Sequence, residues 1–211
     1  MLVIALCKGR YLEPSIAMLT RADIRFAEDV ASSRKLIFES EDKRFRVVLV
    51  KPADVPTYVE YGAADVGIAG RDVIMESRAD LLQPLDLNFG HCKIAVAGPK
   101  DGQGVSPPTI RVATKYPRIT MDFYNARGIP VEIIPLSGSI ELAPLIGLAD
   151  RIVDLVETGR TLKENGLEIV EIIADSSARL LVNRASYQTK RQEVLGLING
   201  LERVVQCESP I

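Results

Sequence analysis

The sequence is poor in the residues that serve most nucleophilic, metal and redox chemistry. Its 211 residues contain one histidine, His91, and three cysteines, Cys7, Cys92 and Cys207. A lone imidazole gives a catalytic triad or a histidine-built metal centre little to stand on, and Cys92 beside it has no partner at ligand spacing, so both read as structural. The cysteines are far apart, lack CxxC spacing and are odd in number, which argues against a disulfide framework and for a reducing compartment, the cytoplasm. Long apolar runs are missing too. The opening "MLVIALCKGR" holds five consecutive apolar residues, Leu2 to Leu6, and ends in two basic ones; that is too short for a signal peptide or a membrane span and reads as a buried strand. Nor is there a basic excess. The net charge of −2 speaks against extended nucleic-acid binding, while leaving open a local Lys and Arg cluster facing a small anion.

What the sequence does have is apolar content, 47%, enough for one large core or two smaller lobes. Short β runs ("LVIAL", "FRVVLV", "ADVGIAG", "KIAVAG", "IRVAT", "VEIIPL", "RIVDLV", "ARLLVN") alternate with helical patterns, which predicts α/β layers with largely parallel strands. Helix punctuation supports this: Asp54 as N-cap, Pro56 and Gly62 bracket one helix, Pro117 and Gly128 another. In "YQTKRQEVLGLINGLERVV", Val194, Leu197, Ile198, Leu201 and Val205 fall on one stripe. The segment "GPKDGQGVSPPT" reads as a surface connection. Two stretches echo each other, "EYGAADVGIAGRD" and "LIGLADRIVDLVETGR": each runs from a helix end through Gly-x-Ala-Asp into a strand and a glycine-bearing loop. This suggests two lobes of similar construction with a ligand cleft between them, each presenting a loop at the C-terminal end of a strand, where open α/β sheets bind ligands.

The chemistry-bearing candidates lie at such loops. In "VETGRT", Gly159 lets the backbone approach a ligand, Thr158 and Thr161 offer hydroxyls, and Asp154 and Glu157 can accept from sugar hydroxyls beside a phosphate; equally, Thr158 caps a helix starting near Leu162 and Gly159 turns the chain. "CKGRYLEP" sets Lys8 and Arg10 around a glycine beside a helix start, either an anion clamp or solvated loop charge. Arg34 in "SSRKLIF" precedes a short strand, where it competes with Lys35 for any role and where edge-strand charge is ordinary. Asp72 at a helix start has capping as its alternative. Tyr116 in "ATKYP" either stacks on a base or packs. Glu141 in "LSGSIELAPLIG" sits near a helix's first turn, with Ser137 or Ser139 as cap.

Together, "LCKGRYLEP", "SSRKLIF", "DVPTYVEYGAADVGIAGRDV", "VATKYP", "LSGSIELAPLIGLADRIVDLVETGRTLKENGL" and "ARLLVNR" cover nearly the whole chain in order, and the sequence resembles the ATP phosphoribosyltransferase family, the first enzyme of histidine biosynthesis. The resemblance implies an α/β, two-lobed fold like a type II periplasmic binding protein, with lobe I formed by residues 1–90 and 178–211 and a phosphoribosyl-binding lobe II by 91–177. It implies a reaction in which N1 of the adenine of ATP displaces pyrophosphate from C1 of 5-phosphoribosyl 1-pyrophosphate (PRPP), with Mg²⁺ carried by the substrates rather than by protein ligands. Such chemistry needs two polyanions aligned and charge on the leaving pyrophosphate absorbed more than it needs a histidine base. Carried over by motif, Lys8, Arg10 and Arg34 are catalytic; Asp154, Glu157, Thr158, Gly159, Arg160 and Thr161 bind PRPP; Asp72, Tyr116 and Glu141 lie near ATP. The chain looks like the family's short form, which implies a regulatory subunit resembling histidyl-tRNA synthetase in a hetero-octamer, and no nucleic-acid or membrane partner. Cys7 and Arg160 depart from residues common at their positions, and neither departure removes a group the reaction needs.

Two other readings compete. A non-catalytic solute receptor shares this fold, although no signal peptide is evident. A purine-salvage phosphoribosyltransferase carries adjacent acidic residues in its PRPP motif, whereas Leu155 and Val156 separate Asp154 from Glu157 here.

Overall fold

The structure, a computed structural model, describes residues 1–100 and 109–208. Most of the predicted surface connection from Gly98 to Thr109 lies outside the described residues. The chain divides into two compact units, Met1–Gly90 with Ser177–Ile211, and His91–Ser176.

The strands of the first unit are β1 (Leu2–Cys7), β2 (Ile37–Glu39), β3 (Phe45–Val50), β4 (Val66–Gly70) and β5 (Leu82–Asp86); the second unit holds β6 (Cys92–Pro99), β7 (Ile110–Thr114), β8 (Val131–Pro135), β9 (Arg151–Val156) and β10 (Leu167–Ser176); β11 (Ala178–Val182) returns to the first. The helices are α1 (Leu12–Arg21), α2 (Val55–Glu60), α3 (Arg71–Ser77), α4 (Pro117–Asn125), α5 (Leu142–Leu145), α6 (Arg160–Glu164), α7 (Arg184–Thr189) and α8 (Arg191–Glu208). The first unit's six-stranded sheet has the order β2-β3-β1-β4-β11-β5, and the second unit's five-stranded sheet the order β10-β6-β9-β7-β8.

All eight predicted runs are strands, but the expectation of largely parallel sheets needs correction. β1 is parallel to β3 and β4, and β7 to β8 and β9; every other named pairing is antiparallel. The antiparallel members include β6 and β11, which follow the crossings from one unit to the other and so need no βαβ connection. β1 and β4 are buried on both faces, with Leu2, Ile4, Ala5, Leu6, Val66 and Ile68 in the core, which is why their sequences are continuously apolar, whereas β3 carries Arg46 and alternates buried with half-buried positions. The predicted final helix is two: α7 ends at Thr189, and α8 carries the stripe, with Val194, Leu197 and Leu201 buried and Ile198 and Val205 partly so.

The echoing stretches do the same job in each unit. Gly62 and Gly147 both turn the chain at φ +73°, a region in which side-chain-bearing residues are strained. Three residues later the Asp65 carboxylate accepts the Val3 N–H at 2.9 Å while Asp65 N–H donates to the Val3 carbonyl at 2.9 Å. Asp150 treats Arg111 identically, at 2.8 Å in both directions. Each aspartate thereby pins the start of one parallel strand to the start of its neighbour, β1 to β4 and β7 to β9. The loops that follow those strands hold most of the candidate site residues.

Candidate active site

In the first unit, the parallel pairing of β1 with β3 and the antiparallel pairing of β2 with β3 bring three sequence segments to one end of the sheet. Lys8 N–H donates to the Val50 carbonyl at 3.2 Å, and Leu49 N–H donates to the Leu36 carbonyl at 2.8 Å. The "KGR" loop after β1 and the "SRKL" turn before β2 therefore both meet the C-terminal end of β3. Lys8, Arg10 and Arg34 are exposed there. Lys35 is engaged elsewhere, 2.7 Å from Glu28, so Arg34 is the better-placed cation of that pair. Gly9 makes the turn at φ +100°. Asp72 sits in the first turn of α3 at 3% exposure. A Cβ placed on Gly70 would lie 2.2 Å from Asp72 Oδ1 and 2.8 Å from the Tyr11 hydroxyl, so a glycine is required for these groups to gather. Cys7 beneath them is no nucleophile: burial pushes its thiol up to about 11.

In the second unit the corresponding strand ends carry the other candidates. The "VETGRT" loop follows β9, and α6 begins at Arg160 rather than near Leu162, because Gly159 at φ +72° redirects the chain at once into the helix. Glu157, Thr158, Arg160 and Thr161 are exposed. Thr158 Oγ1 accepts the Arg160 N–H at 3.4 Å, while the Arg160 guanidinium donates to Glu164 at 2.7 Å along the helix surface. Asp154 projects from β9 with Lys115 Nζ 3.4 Å away. Burial pushes the Asp154 carboxyl above its ordinary value, and the Lys115 charge and the Leu155 N–H oppose that rise; the negative charge of Glu141 adds to it. Glu141 stands at the N-cap position of α5 rather than inside its first turn, with neither Ser137 nor Ser139 capping by side chain.

Tyr116 is 4% exposed, with the Lys115 ammonium 5.1 Å from its ring centroid. Its N–H is held by Thr114 Oγ1 at 2.9 Å. The ring as placed is packed, and Lys115 lies over it. Among the described residues no three His, Cys, Asp or Glu side chains are grouped to hold a metal ion, and no helix is long and apolar enough to cross a membrane.

Residues 51–203 match the HisG family, ATP phosphoribosyltransferase. The ATP phosphoribosyltransferase of Acidithiobacillus ferrooxidans is 53% identical over 209 residues, 97% of each chain. That of Geobacter metallireducens is 51% identical over 208 residues, 97% of this chain and 98% of its own. The chain belongs to the ATP phosphoribosyltransferase family. Among solved structures, the ATP phosphoribosyl transferase (HisG:HisZ) complex from Thermotoga maritima superposes with a TM-score of 0.88 at 39% identity, covering 99% of this chain and 100% of that one. The periplasmic VFT2 domain of Bordetella pertussis BvgS shares the fold alone, with a TM-score of 0.56 at 12% identity over 96% of this chain and 86% of its own. The fold is thus the two-lobed α/β type of periplasmic binding proteins.

Within this ATP phosphoribosyltransferase family member, sequence reasoning passed over two groups. Tyr11 is buried and its hydroxyl receives a hydrogen bond from Arg10 Nη2 at 2.8 Å; a tyrosine beside a charged loop residue gives no periodic signal. Lys115 is adjacent to a motif residue but acquires meaning only through Asp154, thirty-nine positions on, which the parallel register of β7 on β9 (Thr114 against Val153) places beside it.

Proposed function

We propose that this chain is the catalytic subunit of ATP phosphoribosyltransferase, condensing ATP with PRPP in the first step of histidine biosynthesis. The observation that carries the reading is the end-to-end match to ATP phosphoribosyltransferases at about half identity, 53% over 97% of each chain in one case. In the reaction, the adenine N1 lone pair forms a bond to C1 of PRPP as the C1–O bond to pyrophosphate breaks, giving N1-(5-phosphoribosyl)-ATP and pyrophosphate.

Each candidate then has a task. In the second unit, Gly159 backbone and the Thr158 and Thr161 hydroxyls hold the 5-phosphate, and Asp154 and Glu157 accept from the ribose hydroxyls. In the first unit, Arg10 and Arg34, with Lys8, align the polyphosphates and take up charge on the departing pyrophosphate, where preorganised donors are most effective. Asp72, Tyr116 and Glu141 are assigned to the ATP nucleotide, Tyr116 by way of a shift of Lys115 from its ring. Arg160, bound to Glu164, is the loop member with least to contribute. Mg²⁺ is assigned to the substrates' polyphosphates, whose charge it neutralises when bound. We assign lobe I to residues 1–90 and 178–211 and the phosphoribosyl-binding lobe II to 91–177.

The Thermotoga maritima relative was solved as a HisG:HisZ complex. By that likeness we assign this chain a regulatory subunit resembling histidyl-tRNA synthetase, in a hetero-octamer. Three free cysteines support a cytoplasmic setting.

The test is absorbance on mixing the chain and its regulatory subunit with ATP, PRPP and Mg²⁺, since substitution at N1 alters the adenine chromophore. A rise dependent on both substrates is expected. Binding with no spectral change points to a receptor, and activity with free adenine but not ATP points to purine salvage.

A further inference from the structure

The Lys115–Asp154 pair forms just beyond the point where its two strands are laddered together. The parallel register of β7 on β9 closes with the pair Thr114–Val153. Lys115 and Asp154 are the next residue on each side, with Lys115 Nζ 3.4 Å from Asp154 Oδ1. A lysine side chain loses much rotamer freedom when it is held. Keeping the pair at that distance therefore requires both main chains to be fixed where the ladder ends.

A side chain supplies the tie. Thr114 donates its hydroxyl proton to the Val153 carbonyl at 2.7 Å, and the same oxygen accepts the Tyr116 N–H at 2.9 Å. The first contact holds the peptide that leads into Asp154, and the second the peptide that leaves Lys115. Thr114 is itself anchored, its carbonyl accepting the Leu136 N–H at 2.9 Å. From α4, the Thr120 hydroxyl donates to the Tyr116 carbonyl at 2.7 Å and closes the turn on its other side. Thr114 is fully buried, and so are its strand neighbours Val112 and Ala113, both apolar. A hydroxyl in that setting is costly unless it is satisfied, and here it serves as donor and acceptor at once, which a valine of the same shape cannot do.

Resting on the transferase reading above, we propose that Thr114 is a positioning residue for the phosphoribosyl site: its hydroxyl sets the Lys115 ammonium against the Asp154 carboxylate and so presents that carboxylate to the ribose hydroxyls of PRPP. Thr114 touches no substrate. Its influence passes through the two peptides it holds.

The experiment is isothermal titration of Mg²⁺ and PRPP into the full chain with its regulatory subunit, comparing wild type, Thr114→Val, Thr114→Ser, Lys115→Met and the Thr114→Val/Lys115→Met double variant, with product formation by wild type followed in the absorbance assay. Valine keeps the shape and removes the hydroxyl, and is expected to raise the Kd for PRPP on the order of 10-fold. Serine keeps the hydroxyl and is expected to restore most of the binding. In the Lys115→Met background Thr114→Val should cost less than it does in wild type, because the pair it sets is gone. Wild-type affinity in Thr114→Val, an equal loss in both backgrounds, or a serine variant as weak as the valine one would each overturn the proposal. If Thr114→Val does not fold, Thr114→Ser against Thr114→Cys reads the same hydroxyl, since the two side chains are alike in shape and the thiol is only a weak donor and acceptor. A cysteine variant that binds as the serine one does, or that also fails to fold, overturns the proposal, the latter by making Thr114 purely structural. All these outcomes leave the transferase reading standing while wild type forms product; a wild-type chain that forms none removes both.

Discussion

Lys190 sets its ammonium 2.8 Å from each carboxylate oxygen of Asp65. The contact ties the residue before α8 to the turn before β4, and Asp65, 4% exposed, also accepts from Ser186 at 2.6 Å and from the Val3 N–H at 2.9 Å. Removing one member of a buried ionic set leaves the others unsatisfied, which costs about 3 kcal/mol here, the low end of the usual range because Lys190 keeps some water contact. Asp65→Ala is therefore expected to lower the melting temperature by about 6–12 °C. The stabilisation is also pH-dependent. Burial pushes the Asp65 carboxyl up, but hydrogen bonds from Lys190, Ser186 and Val3 outweigh it and hold the folded value below the ordinary 3.8. The unfolded chain takes up the proton first, so the contribution is complete above that ordinary value and is lost as pH falls through the folded one. Denaturant titrations at neutral pH and near pH 3 should show the gap between wild type and variant closing.

On the proposed assignment, Arg10→Ala and Arg34→Ala each remove a donor to developing charge, and kcat is expected to fall on the order of 10²- to 10³-fold. Both side chains are exposed, so melting temperatures should stay within a degree or two of wild type. Steady-state kinetics paired with thermal melts read both halves; a large loss of stability would mean that the arginines hold the loop rather than the substrate.

Lys115→Met tests the carboxylate of the proposed phosphoribosyl loop. Burial raises the Asp154 carboxyl and the Lys115 charge opposes it, so removing the ammonium moves Asp154 further up. On the proposed assignment the ionised Asp154 carboxylate is the stronger acceptor for the ribose hydroxyls, so the acid limb of kcat/KM for PRPP is expected to shift to higher pH in the variant. The same raised value means that ionising Asp154 costs the folded state stability as pH climbs through the carboxylate range, a cost that grows in the variant. An unmoved acid limb would separate Asp154 from PRPP.

Two neighbours within the loop should behave oppositely. Arg160 is bound to Glu164 at 2.7 Å on the exposed face of α6, so Arg160→Ala is expected to leave KM for PRPP within about two-fold, the loss of a surface pair being small. Gly159 holds φ +72° with Val156 Cγ1 3.7 Å from an added Cβ. Gly159→Ala fits by volume but strains the backbone by about 1–2 kcal/mol, and should raise KM for PRPP about ten-fold as the loop shifts.

How far the sequence could be read depended on whether a residue's role was local. β1 and β4 announced themselves because strands buried on both faces are apolar throughout, as in "LVIAL". β5 stayed hidden: "LQPLD" carries Pro84, which an edge strand tolerates and a central one does not. β10 stayed hidden as well, since its edge position leaves Ile169, Val170 and Ile172 exposed and two register shifts break its alternation. At the break between α7 and α8, Lys190 reaches Asp65, a contact no periodicity encodes. At the site, loops after strands were legible by their glycines and charges. Which charge faces which, Lys115 to Asp154 or Arg10 to Tyr11, was settled by register and packing.

The account depends most on PRPP being held by the loop from Asp154 to Thr161. Isothermal titration of Mg²⁺ and PRPP into the chain with its regulatory subunit, beside a Thr158→Ala/Thr161→Ala variant of unchanged melting temperature, tests it directly. The account predicts saturable heat for wild type and binding weakened at least ten-fold in the variant, the expected loss of two phosphate hydrogen bonds. No PRPP binding by wild type, or equal binding by the variant, would contradict it.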